Sequence, residues 1–189
     1  MLVIPGIIAS ANYPRVTSSY ESIATVTVGA GGSSSISFTS IPSTYKHLQI
    51  RFLGKDNRSG NNVDAFLMTF NSDSTSKYWQ HWLYGNGSSA IAGNDGSLQT
   101  SFQIYRIGGG TSGSSFGAGI IDILDYTSTN KNKTIRSLGG IDNNGSGEIW
   151  FLSGLYSATP ASVSTITATP ANGTLFSEYS SFALYGVKG

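Results

Sequence analysis

Apolar and polar residues alternate along most of this chain, with clusters of Gly, Ser and Asn between the alternating runs. A period of two is the signature of a strand with one face buried, and such punctuation marks turns. Ala24, Val26 and Val28 share one face of a first predicted strand, which stops at Gly29-Ala30-Gly31-Gly32. Ile36 and Phe38 begin a second, closed by Ile41-Pro42, and Leu48, Ile50 and Phe52 form the buried side of a third, leaving His47, Gln49 and Arg51 outward. Residues 63–71 are apolar on both parities, which predicts a strand covered on both faces.

The rhythm changes over residues 74–84. Tyr78, Trp79, Trp82 and Leu83 recur at spacings of three and four, which predicts one short helix capped by Asp73 or Ser74. Alternation then resumes. Leu98, Phe102 and Ile104 share a face; Ile121 and Ile123 oppose Ile120, Leu124 and Tyr126; Trp150 and Leu152 oppose Ile149, Phe151 and Leu155. Val163 and Ile166 fall on opposite parities, as at a bulge, and Phe182 and Leu184 oppose Ala183, Tyr185 and Val187 in a last strand. Nine or ten strands without alternating helices predict an all-β fold, an antiparallel β-sandwich of jelly-roll type, as one domain over residues 20–189. Residues 1–19 do not alternate and read as an extended N-terminal arm with an apolar tip: Leu2, Val3, Ile4, Ile7 and Ile8.

Composition narrows the class. Charged residues make up 11% and Gly numbers 24, so the solvent-facing coat is Ser, Thr, Asn and Gly, suited to strands and turns. The formal net charge of +1 gives no electrostatic reason to expect nucleic acid. With 0 Cys, thiol nucleophiles and Cys-ligated zinc are excluded. No apolar run is long enough for a membrane span, so no membrane partner is expected. The opening eleven residues have the Ala-x-Ala ending of a secretion signal, but Pro5-Gly6 interrupts them and no basic residues precede the apolar stretch. An assembly arm fits them better.

Candidate chemistry is sparse. There are 2 His. His47 is expected at an exposed or edge position. His81 stands among Tyr78, Trp79 and Trp82, which either cap an open sandwich end or form a ligand-stacking platform for sugar rings. Gly145-Ser146-Gly147 lacks the spacing of a nucleophile elbow. Asp122 and Asp125, three apart on a strand, point to opposite faces and cannot act as a facing carboxylate pair. The stretch from Asp142 to Glu148 is rich in oxygen ligands like a calcium loop, yet Ser153 stands where that motif needs an acid, and an ordinary hairpin turn has the same composition. Gly108-Gly109-Gly110 precedes no predicted helix and is no phosphate cradle. No catalytic residue, cofactor or metal is expected.

Several stretches together resemble structural proteins of tailed-bacteriophage virions, particularly cyanophage-like ones. They are Tyr20-Glu21-Ser22-Ile23-Ala24, then Ile41-Pro42-Ser43-Thr44-Tyr45-Lys46-His47-Leu48-Gln49-Ile50-Arg51, then Phe70-Asn71-Ser72-Asp73 with Leu83-Tyr84-Gly85-Asn86-Gly87-Ser88. Residues 120–126 and the ending Ser181-Phe182-Ala183-Leu184-Tyr185-Gly186-Val187-Lys188-Gly189 complete the set. The resemblance implies a non-enzymatic virion component, assembled in the bacterial cytoplasm, whose partners are the major capsid protein or other virion subunits. The compact, near-neutral chain has no coiled-coil or collagen-like stalk repeat, which within that setting favours a capsid decoration (cement) protein over a fibre. The arm is expected to lie along a neighbouring subunit. Self-association as a dimer or trimer is expected to bury outward apolar residues such as Leu53 and Ile107. The alternative is a tail-associated receptor- or carbohydrate-binding module, which needs Trp79 and Trp82 exposed along one groove. A third class, a glycan hydrolase or lyase, needs two acids facing one cleft.

Overall fold

The computed structural model describes residues 18–189, so the apolar arm residues Leu2, Val3, Ile4, Ile7 and Ile8 lie outside the described residues. Among the described residues there are twelve strands: β1 (Tyr20–Thr27), β2 (Ile36–Phe38), β3 (His47–Gly54), β4 (Val63–Phe70), β5 (Tyr78–Gly85), β6 (Ala90–Asn94), β7 (Phe102–Gly108), β8 (Gly117–Leu124), β9 (Lys133–Asp142), β10 (Gly147–Tyr156), β11 (Ile166–Pro170) and β12 (Ser181–Val187). They form two antiparallel sheets packed as a sandwich, as expected. One has eight strands in the order β1-β12-β3-β8-β9-β10-β5-β6, the other four in the order β2-β11-β4-β7.

Alternation sets which residues lie between the sheets. In β9 and β10 nearly every second side chain is buried, with Ile135 and Ile141 on one strand and Trp150 and Leu152 on the other. Two aromatic clusters fill the interior. Phe52, Phe66, Phe176 and Phe182 meet mostly edge to face, with centroids 5.1 Å apart for Phe52–Phe66 and 5.2 Å for Phe176–Phe182. Phe70, Tyr78, Phe102 and Tyr156 form the second, with Tyr78–Phe102 at 4.9 Å and 85°. Such contacts add to area burial and restrict the rings to one arrangement.

Glycine brings the sheets together where β7 crosses the larger one. A Cβ on Gly154 would lie 2.6 Å from the Phe102 ring, and one on Gly139 would lie 2.6 Å from the Tyr105 carbonyl oxygen. Beyond β7 the smaller sheet ends, and the inner face of β5 and β10 is covered by rings instead. Trp150 lies between Tyr84 at 4.2 Å and Tyr105 at 4.1 Å. Arg106 stands 4.7 Å from the same indole, and Glu148 Oε2 accepts from both Arg106 Nε and Trp150 Nε1 at 2.7 Å.

Three expectations need correction. The predicted helix over 74–84 is strand β5. Wide aromatic residues occupy both faces of that strand, so consecutive rings mimic a helical spacing. The predicted cap Asp73 does accept from a backbone N–H two residues on, that of Thr75 at 2.9 Å, but in a turn that leads into a strand. Strand β4 is central in the smaller sheet, yet its outward residues Leu67 and Thr69 are only half-buried. Ile107, expected outward, is fully buried in the core, because the pairing of β4 with β7 shifts register at Asp64/Ala65. The stretch from Asp142 to Glu148 is the β9–β10 hairpin turn: Asn144 (φ 57) and Gly145 (φ 105) take the two left-handed positions, and Asn143 N donates to Ser146 O at 2.9 Å.

Candidate interaction face

The outward side of the eight-stranded sheet is where alternation breaks its usual rule. Antiparallel pairing aligns residues across strands in rows, and three rows matter here. The central row runs Arg51, Ile120, Leu138, Phe151, Leu83 and Ala92 across β3, β8, β9, β10, β5 and β6. Its four large apolar members are between 40% and 51% exposed, so this stripe faces water. The row on one side is Leu53, Ala118, Gly140, Ile149, Gly85 and Ala90, apolar and mostly small. The row on the other side is polar: Gln49, Asp122, Arg136, Ser153, His81 and Asn94.

The polar row is fixed by its own bonds. Gln49 Nε2 donates to Asp122 Oδ1 at 2.9 Å, and Arg136 Nε donates to Asp122 Oδ2 at 2.9 Å. Arg51 Nε donates to Gln49 Oε1 at 2.9 Å, while its guanidinium lies over Tyr185 at 5.0 Å and Tyr20 at 5.4 Å. Gln49 is therefore buried although it faces outward. Chaining these groups removes rotamer freedom before any partner arrives, which lowers the entropy lost on binding.

Large and small residues side by side make relief. A shallow depression of about 550 Å³ lies between the apolar stripe and the polar row, bordered by Phe151, Leu138, His81 and Asp122. A second, of about 530 Å³, lies over Ala118, Gly139 and Gly140, walled by Leu138 and Ile149. Both are apolar-walled troughs on an open surface.

The predicted stacking platform is split by the strand. Trp79 and His81 point outward, ring centroids 6.2 Å apart and tilted by 53°, at one end of the face. Tyr78 and Trp82 point the other way, because neighbouring parities of a strand project to opposite sides. Tyr78 is fully buried. Its hydroxyl donates to Asp73 O at 2.7 Å and accepts from Phe70 N at 3.0 Å, and burial pushes the phenol up to about 12. Trp82 packs half-buried near Trp150 and Tyr105, each 6.3 Å away. Trp79 and Trp82 therefore do not border one groove. His47 is half-exposed at the start of β3, its Nδ1 accepting from Asp125 N at 2.9 Å.

The chain also brings together two carboxyl groups that sequence reading did not pair. Asp56 and Asp64 are both buried, at the end of the sandwich where the β3–β4 and β11–β12 connections meet. Asp64 accepts from Arg58 Nη1 at 3.2 Å, Asn172 Nδ2 at 2.7 Å and Gly173 N at 3.1 Å. Burial, then the hydrogen bond to Asp64, pushes Asp56 up to about 7. Burial also acts to raise Asp64, but its bonds from Asp56 and Asn172 and the nearby Arg58 outweigh that and hold it low. Of the two, Asp56 is the carboxyl whose ionisation burial opposes, and Asp64 the one whose charge its neighbours support. A Cβ on Gly173 would fall 2.4 Å from Asp56 Oδ2, so the pair is sealed by backbone, and neither carboxyl borders either depression. It is a clasp between two loops, reinforced by Asn57, whose Oδ1 accepts from Thr174 N at 2.8 Å and Leu175 N at 3.0 Å.

Among the described residues no group of three or more His, Asp or Glu could hold a metal ion. No family model matches the chain, and no curated protein or solved structure matches it either.

Proposed function

We propose that this protein is a non-enzymatic structural subunit of a bacteriophage virion, a capsid decoration protein that works by docking against the major capsid protein or other virion subunits. The observation that carries the docking part is the outward face of the eight-stranded sheet: Ile120, Leu138, Phe151 and Leu83 stand in one row across four hydrogen-bonded strands, each about half-exposed. With strands about 4.8 Å apart and same-face residues about 6.8 Å apart, the two apolar rows across five strands cover on the order of 300 Å². The largest apolar patch on a monomeric protein is commonly of about that size and is often functional. The virion setting rests on the sequence resemblance, and the arm with Leu2, Val3, Ile4, Ile7 and Ile8 is read as a second, separate contact to neighbouring subunits.

Immunogold labelling of purified particles, with antibody against the folded chain, tests the setting. Regular label over the head is the expected outcome. A chain recovered only from the soluble lysate overturns the proposal. The alternative reading, a carbohydrate-binding module, has in its favour His81, which borders the larger depression and has the outward Trp79 ring 6.2 Å away. It requires binding on a glycan array that is lost in Trp79→Ala.

A further inference from the structure

We infer that the outward face of the eight-stranded sheet is the seat of a second copy of this chain, the two sheets stacking face to face. The inference rests on the face being a docking surface, names a second copy as its occupant in place of the major capsid protein, and does not depend on the virion setting.

Area is the first argument. Eight strands about 4.8 Å apart and about eight residues long present roughly 1,000 Å² of outward surface. A standard stable interface buries about 800 Å² from each partner. A face of this extent can make a dimer without recruiting loops or edges.

Relief is the second. The face carries both halves of a packing joint. Ile120, Leu138, Phe151 and Leu83 form a ridge, and the adjacent row supplies a hollow of about 530 Å³ over Ala118 and Gly140. In a two-fold pair each residue of one copy meets its counterpart's neighbours reciprocally, so a ridge beside a hollow is self-complementary. Stacked sheets lie about 10 Å apart with interdigitating side chains and cross at roughly 30°, which suits a row of large residues laid against a row of small ones.

Charge is the third. The polar row at the border holds Asp122 and Arg136, with Asp122 already bonded to Gln49 and Arg136, and Arg51 stands at the β3 end of the apolar row. A second copy therefore meets both signs and not a wall of one. The face of the smaller sheet offers neither ridge nor hollow: its aligned outward residues are Ser37, Thr167 and Thr69.

Sedimentation equilibrium of the full chain across micromolar concentrations tests the inference. The expected result is a reversible species of twice 19.9 kDa. Leu138→Asp should weaken it about 100-fold or more, the consequence of burying an unpaired carboxylate in a packed contact. Ala118→Lys, which fills the hollow from an exposed position, should do the same, and circular dichroism should show both variants folded. Thr167→Lys on the other face should leave the dimer unchanged. A wild-type chain that stays monomeric at 100 µM (about the highest concentration of the series) overturns the inference. So does a dimer that survives both face variants but is lost when residues 1–17 are removed, since the arm would then be the contact. Head labelling without dimerisation would leave the virion reading standing and remove only this one.

Discussion

The two outer faces of this sandwich are built from the same strand geometry and differ in what alternation places on them. On the smaller sheet the outward positions are Ser37, Thr167, Thr69 and Thr169, with Leu67 half-buried among them, and Ser37 Oγ and Thr167 Oγ1 lie 3.1 Å apart in a hydroxyl pair. That is how a β-sheet is finished against water. On the larger sheet the equivalent positions are Ile120, Leu138, Phe151 and Leu83. One chain thus shows that its hydroxyl-rich composition suffices to solvate a sheet, and that over five strands it is not used. Low overall charge makes the contrast sharper, because Lys and Glu are not there to mask it.

Four measurements would break or sharpen this contrast. The largest effect is expected inside, at the level both faces share. Phe66, fully buried against Phe52, Phe176 and Phe182, should cost about 3–5 kcal/mol of unfolding free energy as Phe66→Ala, measured by denaturant titration. Comparable losses from face substitutions would mean that the outer stripe is core, and the contrast would collapse.

A smaller change should follow pH at the clasp. Asp56 is raised in the folded state, so between the ordinary carboxyl value and about 7 the folded chain holds a proton that the unfolded chain has released. Its stabilising contribution is complete at the acid end of that window and is lost as pH rises through it. The melting temperature should fall from pH 5.5 to pH 8, and Asp56→Asn, which keeps a donor toward Asp64, should flatten the slope. An equal slope in that variant would assign the dependence elsewhere.

On the larger face, Leu138→Ser with Phe151→Ser should lower binding of a hydrophobic dye while changing the stability of the monomer by less than about 1 kcal/mol, since both side chains are half-exposed. Unchanged dye binding would show that the stripe is not the accessible apolar surface. The smallest effect belongs to the smaller face. Thr167→Ala, which removes an exposed hydroxyl contact, should cost about 0.5 kcal/mol or less in the same titration.

The sandwich was legible because burial follows parity. Leu48, Ile50 and Phe52, Ile121 and Ile123, and Phe182 and Leu184 all lie inward as their alternation predicts. Residues 74–84 misled because rings at Tyr78, Trp79 and Trp82 serve both faces of one strand, and spacing alone does not distinguish that from a helix. The stripe was half legible. Leu53, Ile120, Ile149 and Phe151 could each be assigned to an outward parity, but that Ile120, Leu138, Phe151 and Leu83 line up depends on the β8-β9-β10-β5 order and register, which no local pattern encodes. The clasp was invisible for the same reason. Asp56 and Asp64 lie in a polar loop and an apolar strand, and only the return of the chain at Asn172 and Gly173 closes them in.

The stack of Tyr84, Trp150 and Tyr105 has an optical consequence. Rings 4.2 Å and 4.1 Å apart, inclined by 3° and 17°, couple their transitions and give a near-ultraviolet dichroic band that disappears when they slide. Tyr84 and Trp150 belong to the larger sheet and Tyr105 to the smaller, so that signal reports on the margin where the two sheets meet. Fraying there would become visible while the phenylalanine interior is still intact.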